Sequence, residues 1–269
     1  MGIRSLLKGL IDMWPMYRQG ERQCQYLRRI KELYEMQLLT TRREQYVHDD
    51  ILQLKTDKGT LSLYVPEFPQ NNVTDVFVLY HEFPERDLLN SVRPYIPDNG
   101  VVIDVGANIG SHTLYFAWML NTSKVYSFEP QKGLFPILQK NCELNNVQDK
   151  VILYNCCVGE KEAYASLGNV AIYDASQTSF NMSDMPTDYK IMSLDSLKLD
   201  KVDFIKIDVE GHEIEVLRGA KETIAKCRPV IWCEAWTREQ RKTLYRFLKP
   251  FGYSVSSMND SNHLFVPNR

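Results

Sequence analysis

The sequence predicts an α/β protein in which a mostly parallel sheet carries helices on both faces and closes on an antiparallel C-terminal hairpin, with a helical extension in front. Three observations carry this. Beyond Gly100, short runs rich in β-branched residues alternate with stretches of helical period. The last two runs are separated by too few residues for a parallel crossover. Before Asp50 the apolar positions recur every three to four residues.

In chain order, Ile3, Leu6, Leu7, Leu10 and Trp14 fall at helical spacing, Pro15 interrupts, and Leu27, Ile30, Tyr34 and Leu38 continue as a second amphipathic helix. From Asp50 the period changes to two. Leu52 and Leu54, the turn segment Thr56 to Gly59, and Leu61, Leu63 and Val65 read as a β-hairpin. Pro66, Pro69, Asn71 and Asn72 mark a loop, Glu85 to Tyr95 is helical, and Pro97, Asp98 and Gly100 supply a turn. Strands are then expected at Val101 to Val105, Val125 to Phe128, Val151 to Cys157, Phe204 to Ile207 and Val230 to Cys233. Helices are expected at Thr113 to Leu120, Gly133 to Leu144, Glu213 to Ala225 and Glu239 to Phe251. Tyr253 to Ser257 and His263 to Val266, joined by a turn containing Asp260, pair antiparallel. The outline is Rossmann-like, and the chain divides into a helical extension (1–49), a hairpin and helix leading in (50–99) and a core domain (100–269).

Composition bounds the partners. With 269 residues, 44% apolar and 25% charged, the chain has enough apolar material for a sizeable core. Net charge is −2. Residues 1–45 hold nine Lys/Arg against five Asp/Glu, which leaves 23 against 29 for the body. A body of net −6 presents no positive field to phosphates, so no nucleic-acid partner is expected. Six cysteines without a CxxC pair fit a reducing, cytoplasmic compartment, and no uncharged run is long enough to span a bilayer. The N-terminal helices are expected to pack on the main domain or on a second copy in a homo-oligomer.

The chemistry starts at Val101 to Gly110, VVIDVGANIG, a buried strand whose glycine-bearing turn feeds a helix. Gly106 and Gly110 let the backbone approach a ligand, and the helix start that follows favours a negative group. With Ala107, Asn108 and Thr113 they form a cofactor loop. The dinucleotide fingerprint would place glycine where the chain has Asn108 and Ser111, so a pyrophosphate fits poorly. The amino-acid end of S-adenosylmethionine, with Asp104 near its ammonium, fits better. Glu129, nineteen residues past Gly110 and followed by Pro130, ends the second strand where a carboxylate can accept both ribose hydroxyls. Cys157 and Val158 end the third strand beside the same crevice and flank adenine, with a plain core role equally open to Cys157.

The densest motif is FIKIDVEGHEIEVLRGA from Phe204. Strand alternation over Phe204 to Val209 puts Lys206, Asp208 and Glu210 on one side, charges that are costly to bury unless paired, at the edge where open α/β sheets bind ligands. His212 follows as a further base or metal ligand. Glu234 and Trp236 end the fifth strand on the same rim, an acid beside an aromatic face that suits a sugar ring, although Trp232 and Trp236 are equally open to a core role. The polar stretch Tyr173 to Tyr189 reads as a long loop and a candidate acceptor lid.

These motifs resemble the FkbM family of methyltransferases over roughly Phe77 to Val266: VVIDVGANIGSHTL, the FEP at Phe128 to Pro130, LDSL at Leu194 to Leu197, KIDVEGHEIEVLRGA and RPVIWCE ending at Glu234. The resemblance implies a class I methyltransferase fold and S-adenosylmethionine-dependent O-methylation of a sugar or glycan intermediate. It implies nothing for the residues before Asp50. Asp208 and Glu210 are the first candidates for handling the acceptor proton, with Lys206 and His212 as alternative bases. A divalent cation held by the carboxylates is the other way to lower the hydroxyl pKa, and the spacing does not decide between them. A methyltransferase for a non-sugar small molecule, an NAD-linked oxidoreductase and a non-catalytic cofactor-binding protein are the other readings. The rim charges and Asn108 argue against the last two.

Overall fold

The computed structural model describes residues 21–67, 69–168, 174–175, 178–257, 259 and 261–268. The predicted helix from Ile3 to Trp14, Tyr173 and the Asp260 turn lie outside them. The chain forms two compact units that divide at Tyr46 and Val47. In the first, helix α1 (Glu21–Tyr46) is braced along its surface by Arg29–Glu32 and Lys31–Glu35 pairs at i,i+3 and i,i+4.

The second unit opens with β1 (Val47–His48) and the predicted hairpin, β2 (Ile51–Thr56) and β3 (Gly59–Tyr64), whose alternate leucines 52, 54, 61 and 63 are buried. Asn141 and Asn145 of α5 (Phe135–Leu144) and its C-cap bond the β3 backbone at Tyr64 and Ser62. The expected loop at residues 66–72 gives way to a helix, α2 (Asn72–Tyr80). Its β-branched Val-Phe-Val run disfavours a helix by propensity. The Asn71 side chain caps it at Val73 N, and Thr74, Phe77 and Val78 bury one face. The segment read as helical at Glu85 to Tyr95 is α3 (Arg86–Val92) plus a 3₁₀ turn.

The core sheet has seven strands: β4 (Val101–Val105), β5 (Lys124–Phe128), β6 (Val151–Tyr154), β11 (Phe204–Ile207), β12 (Val230–Glu234), β13 (Tyr253–Ser257) and β14 (Asn262–Pro267). Their spatial order is β13-β14-β12-β11-β4-β5-β6, with β14 antiparallel to both neighbours and the other pairs parallel. The interior parallel strands are buried on both faces because helices cover both, and their buried residues are apolar except at Asp104, Ser127 and Lys206. The order reverses between β4 and β11, and at such a switch point the chain leaves the two strands in opposite directions and opens a crevice beyond their C-terminal ends.

Three departures from the expected outline have physical causes. The predicted strand Val151 to Cys157 breaks after Tyr154, where Asn155 turns its amide onto the Glu129 and Pro130 carbonyls. Its end becomes β7 (Cys157–Val158) of a second, four-stranded sheet with β8 (Ala163–Leu167), β9 (Phe180–Ser183) and β10 (Tyr189–Met192), so part of the expected lid loop is sheet. The predicted helix Glu213 to Ala225 splits at Gly219 into α6 (Glu213–Arg218) and α7 (Lys221–Cys227), because the backbone there touches Gly159 so closely that a Cβ would overlap its carbonyl oxygen. The LDSL aspartate, Asp195, caps the second piece through Glu222 N and Thr223 N.

Candidate active site

Backbone geometry builds the floor. Gly106 has φ +80°, and a Cβ on it would overlap the Asp208 carbonyl oxygen, so only glycine lets the loop cross the end of β11. Asn108 is also left-handed, φ 55°, a conformation that asparagine tolerates, and its Oδ1 accepts from both Ile109 N and the Asn71 side chain. Gly106 N and Ala107 N both donate to Phe128 O, tying the loop to β5, while the Ala107 side chain belongs to the core. At Gly110, φ +95°, the loop enters α4 (Ser111–Leu114), which continues as a π turn to Met119.

Above this floor lies a cleft of about 650 Å³, within the range of small-molecule and cofactor sites. Gly106, Asn108, Glu129, Pro130, Cys157 and Val158 line one part of it, and Lys206, Asp208, Glu210, His212, Glu234 and Trp236 another. Asp104, Ala107, Gly110 and Thr113 are not on the wall. Asp104 is fully buried; Thr113 donates to its Oδ2 at 2.7 Å and Lys206 Nζ stands 3.5 Å from its Oδ1. It meets Lys206, not the ammonium of a ligand, and supports the loop from below.

Glu129 is 3% exposed, and each of its oxygens accepts one backbone N–H, from Asn108 and from Gln131, both at 2.8 Å. Each oxygen keeps a lone pair toward the cleft, so a vicinal diol could donate to both. Burial, only partly offset by those two amides, pushes the carboxyl up to about 7. Burial also pushes the Cys157 thiol up to about 12, so it remains a neutral wall residue.

Parallel register sets Lys206 level with Asp104, and its Nζ also reaches Asp208 Oδ2 at 3.4 Å and donates to Gly106 O at 2.9 Å. Burial alone would lower its pKa, but Asp208, Asp104 and Glu85 outweigh that and hold it above the ordinary lysine value. Lys206 is thus a buried cation that ties loop to strand, and its two carboxylate partners hold on its proton rather than prepare it to act as a base. The strand alternation expected through Val209 stops at Ile207; Glu210 sits in a left-handed turn, φ 53°. Burial, with Asp208 and then Glu213 adding repulsion, pushes Glu210 up to about 7; burial and Asp208 push Glu234 up to about 8. His212 Nδ1 lies 4.0 Å from Glu215 on the rim.

The two tryptophans separate. Trp232 is buried and donates to Asn262 Oδ1 at 2.6 Å, whereas Trp236 is 68% exposed at the cleft. Among the described residues no group of three His, Cys, Asp or Glu is gathered as a metal site, and no described helix is long and apolar enough to cross a membrane. Sequence reasoning missed Glu85 and His112, which also line the cleft. The signal for His112 was an imidazole in the first turn of the helix that follows the glycine loop. Glu85 lies in an ordinary charged stretch and gave none.

Known proteins place this geometry in a lineage. A family model described as the methyltransferase FkbM domain matches residues 104–255. Methyltransferase 1 of Beauveria bassiana is 32% identical over 159 residues, 49% of this chain and 63% of that protein. Hexuronic acid methyltransferase AglP of Haloferax volcanii is 25% identical over 175 residues, 64% of this chain and 71% of that protein. The crystal structure of methyltransferase FkbM from Methylobacillus flagellatus KT aligns at a TM-score of 0.47 and 16% identity, covering 88% of this chain and 60% of that one. The match to the Beauveria protein thus spans under two thirds of that protein's length. Because a single family model takes in more than half of the chain, from the buried Asp104 through the glycine loop, Glu129, the Lys206–Glu210 segment and Glu234, the chain belongs to the FkbM methyltransferase family.

Proposed function

We propose that the chain is an S-adenosylmethionine-dependent O-methyltransferase acting on a hydroxyl of a sugar or glycan intermediate. The observation that carries the cofactor is the buried Glu129 on the cleft wall, each of whose oxygens accepts a single backbone N–H and can still accept one hydroxyl of a ribose diol. Val158 and Pro130 supply flat apolar wall for a base, with Cys157 beside them. S-adenosylmethionine supplies an electrophilic methyl group on a sulfonium centre. The protein's part is to hold the acceptor hydroxyl in line and take its proton. Asp208 and Glu210, which line the cleft, take that role in this reading, and a carboxylate raised to about 7, as Glu210 is, is a better proton acceptor than an ordinary one.

The acceptor reading rests on the exposed Trp236 beside Glu234, an aromatic face with an acid next to it, and on the presence of a hexuronic acid methyltransferase among the relatives. The test is labelled-methyl transfer into a panel of monosaccharides, uronic acids, lipid-linked sugars, RNA and peptides. Label in at least one saccharide is expected. Label confined to RNA or peptide would overturn the acceptor assignment, and a parallel arm with excess EDTA reads whether a divalent cation takes part.

A further inference from the structure

Glu85 occupies the residue before α3 but makes no capping hydrogen bond to that helix. Its backbone is left-handed, φ 55°, a conformation that costs free energy in any residue with a Cβ. The carboxylate is turned to the cleft, where Oε2 stands 3.3 Å from His112 Nε2 and the side chain remains 37% exposed. His112 is the reverse case. It is 7% exposed, set edge-on against Trp232 with ring centroids 5.1 Å apart, and its buried Nε2 makes no hydrogen bond. A carboxylate that leaves its own helix uncapped and a buried imidazole nitrogen with nothing else to meet are thus set against each other at the cleft wall.

We propose that Glu85 is an acceptor-binding residue, its carboxylate taking the hydrogen bond of a neutral sugar hydroxyl, and that His112 is the positioning residue that holds it there. The proposal rests on the sugar-methyltransferase reading. Burial works against charge on Glu85, but the neighbouring His112 imidazole, then Lys206 and Asn262, outweigh it and hold the carboxyl below its ordinary value. Glu85 is therefore ionised at neutral pH, where Glu210 and Glu234 are partly protonated. An ionised carboxylate accepts hydrogen bonds from hydroxyls but repels another carboxylate. Lys206, the buried cation nearby, is already shared among Asp104, Asp208 and the Gly106 carbonyl. A carboxylate placed against Glu85 would meet its charge, with the exposed Lys161 of the cleft as the remaining offset, so at this position of the sugar a neutral hydroxyl is favoured.

The test compares kcat/KM for a methyl glycoside that accepts label with that for its uronic acid counterpart, alongside calorimetric affinity for S-adenosylhomocysteine. In Glu85→Gln, kcat/KM for the neutral glycoside should fall at least fivefold through KM, and the preference over the uronate should narrow. Cofactor-product affinity should stay within twofold. His112→Ala, which removes the group that holds the Glu85 carboxylate in place, should raise KM for the neutral glycoside at least threefold with kcat within twofold. His112→Gln, which can still donate to Glu85, should restore KM. A smaller fall in Glu85→Gln, a wild type that prefers the uronate, or an unchanged KM in His112→Ala would overturn the assignment while leaving the sugar reading standing. A wild type that labels no saccharide would overturn both.

Discussion

Gly106→Ala is expected to destabilise the protein by roughly 3 kcal/mol or more and to abolish measurable binding of S-adenosylhomocysteine. Two costs combine at this residue: a side chain forced to φ +80° and a Cβ that overlaps the Asp208 carbonyl oxygen, which cannot retreat because Asp208 N is bonded to Val105 O. Gly211 separates the two costs. It has φ +99° with nothing within 4 Å of a Cβ, so Gly211→Ala should lose only the conformational part, roughly 1–2 kcal/mol. Denaturant unfolding of both variants checks this. Equal losses would mean that the close crossing of loop and β11 is not what requires glycine.

Lys206→Met should cost about 3–5 kcal/mol, the usual penalty for leaving a buried charge without its partner. Asp104 is fully buried, Thr113 supplies one hydrogen bond, and without Lys206 its Oδ1 faces no cation. Lys206→Met combined with Asp104→Asn should recover more than half of the loss, because the charge left behind is then removed. A single variant as stable as the wild type would show that the Lys206 ammonium contributes nothing beyond its own desolvation.

The parts of the molecule that sequence reveals are those where one physical constraint acts locally. Strands buried on both faces are mostly apolar, so β4, β11 and β12 stand out as short Val/Ile-rich runs, and the left-handed loop at Gly106 and Gly110 needs glycine. Glu129 was visible because a strand end fixes its place. Helix α2 was hidden because its residues favour extended backbone and only burial of Thr74, Phe77 and Val78, with the Asn71 cap, makes it helical. The sheet β7-β10-β8-β9 was hidden because its strands are two to five residues long and pair out of sequence order. Asp104 was read as a ligand contact because nothing local shows that the parallel register sets Lys206 beside it. Glu85 and His112 meet only in the fold, 27 positions apart, and neither residue type is unusual where it stands.

Calorimetric titration of S-adenosylhomocysteine at pH 6 and pH 8 into the wild type and Glu129→Gln measures whether Glu129 holds a nucleoside cofactor at the switch point of the sheet. The raised carboxyl must lose its proton to accept both ribose hydroxyls. Affinity should therefore be full above about pH 7 and fall about tenfold by pH 6 in the wild type. Glu129→Gln should bind roughly 10- to 100-fold more weakly at pH 8, with no such dependence. Wild-type affinity in Glu129→Gln at pH 8 would contradict the account.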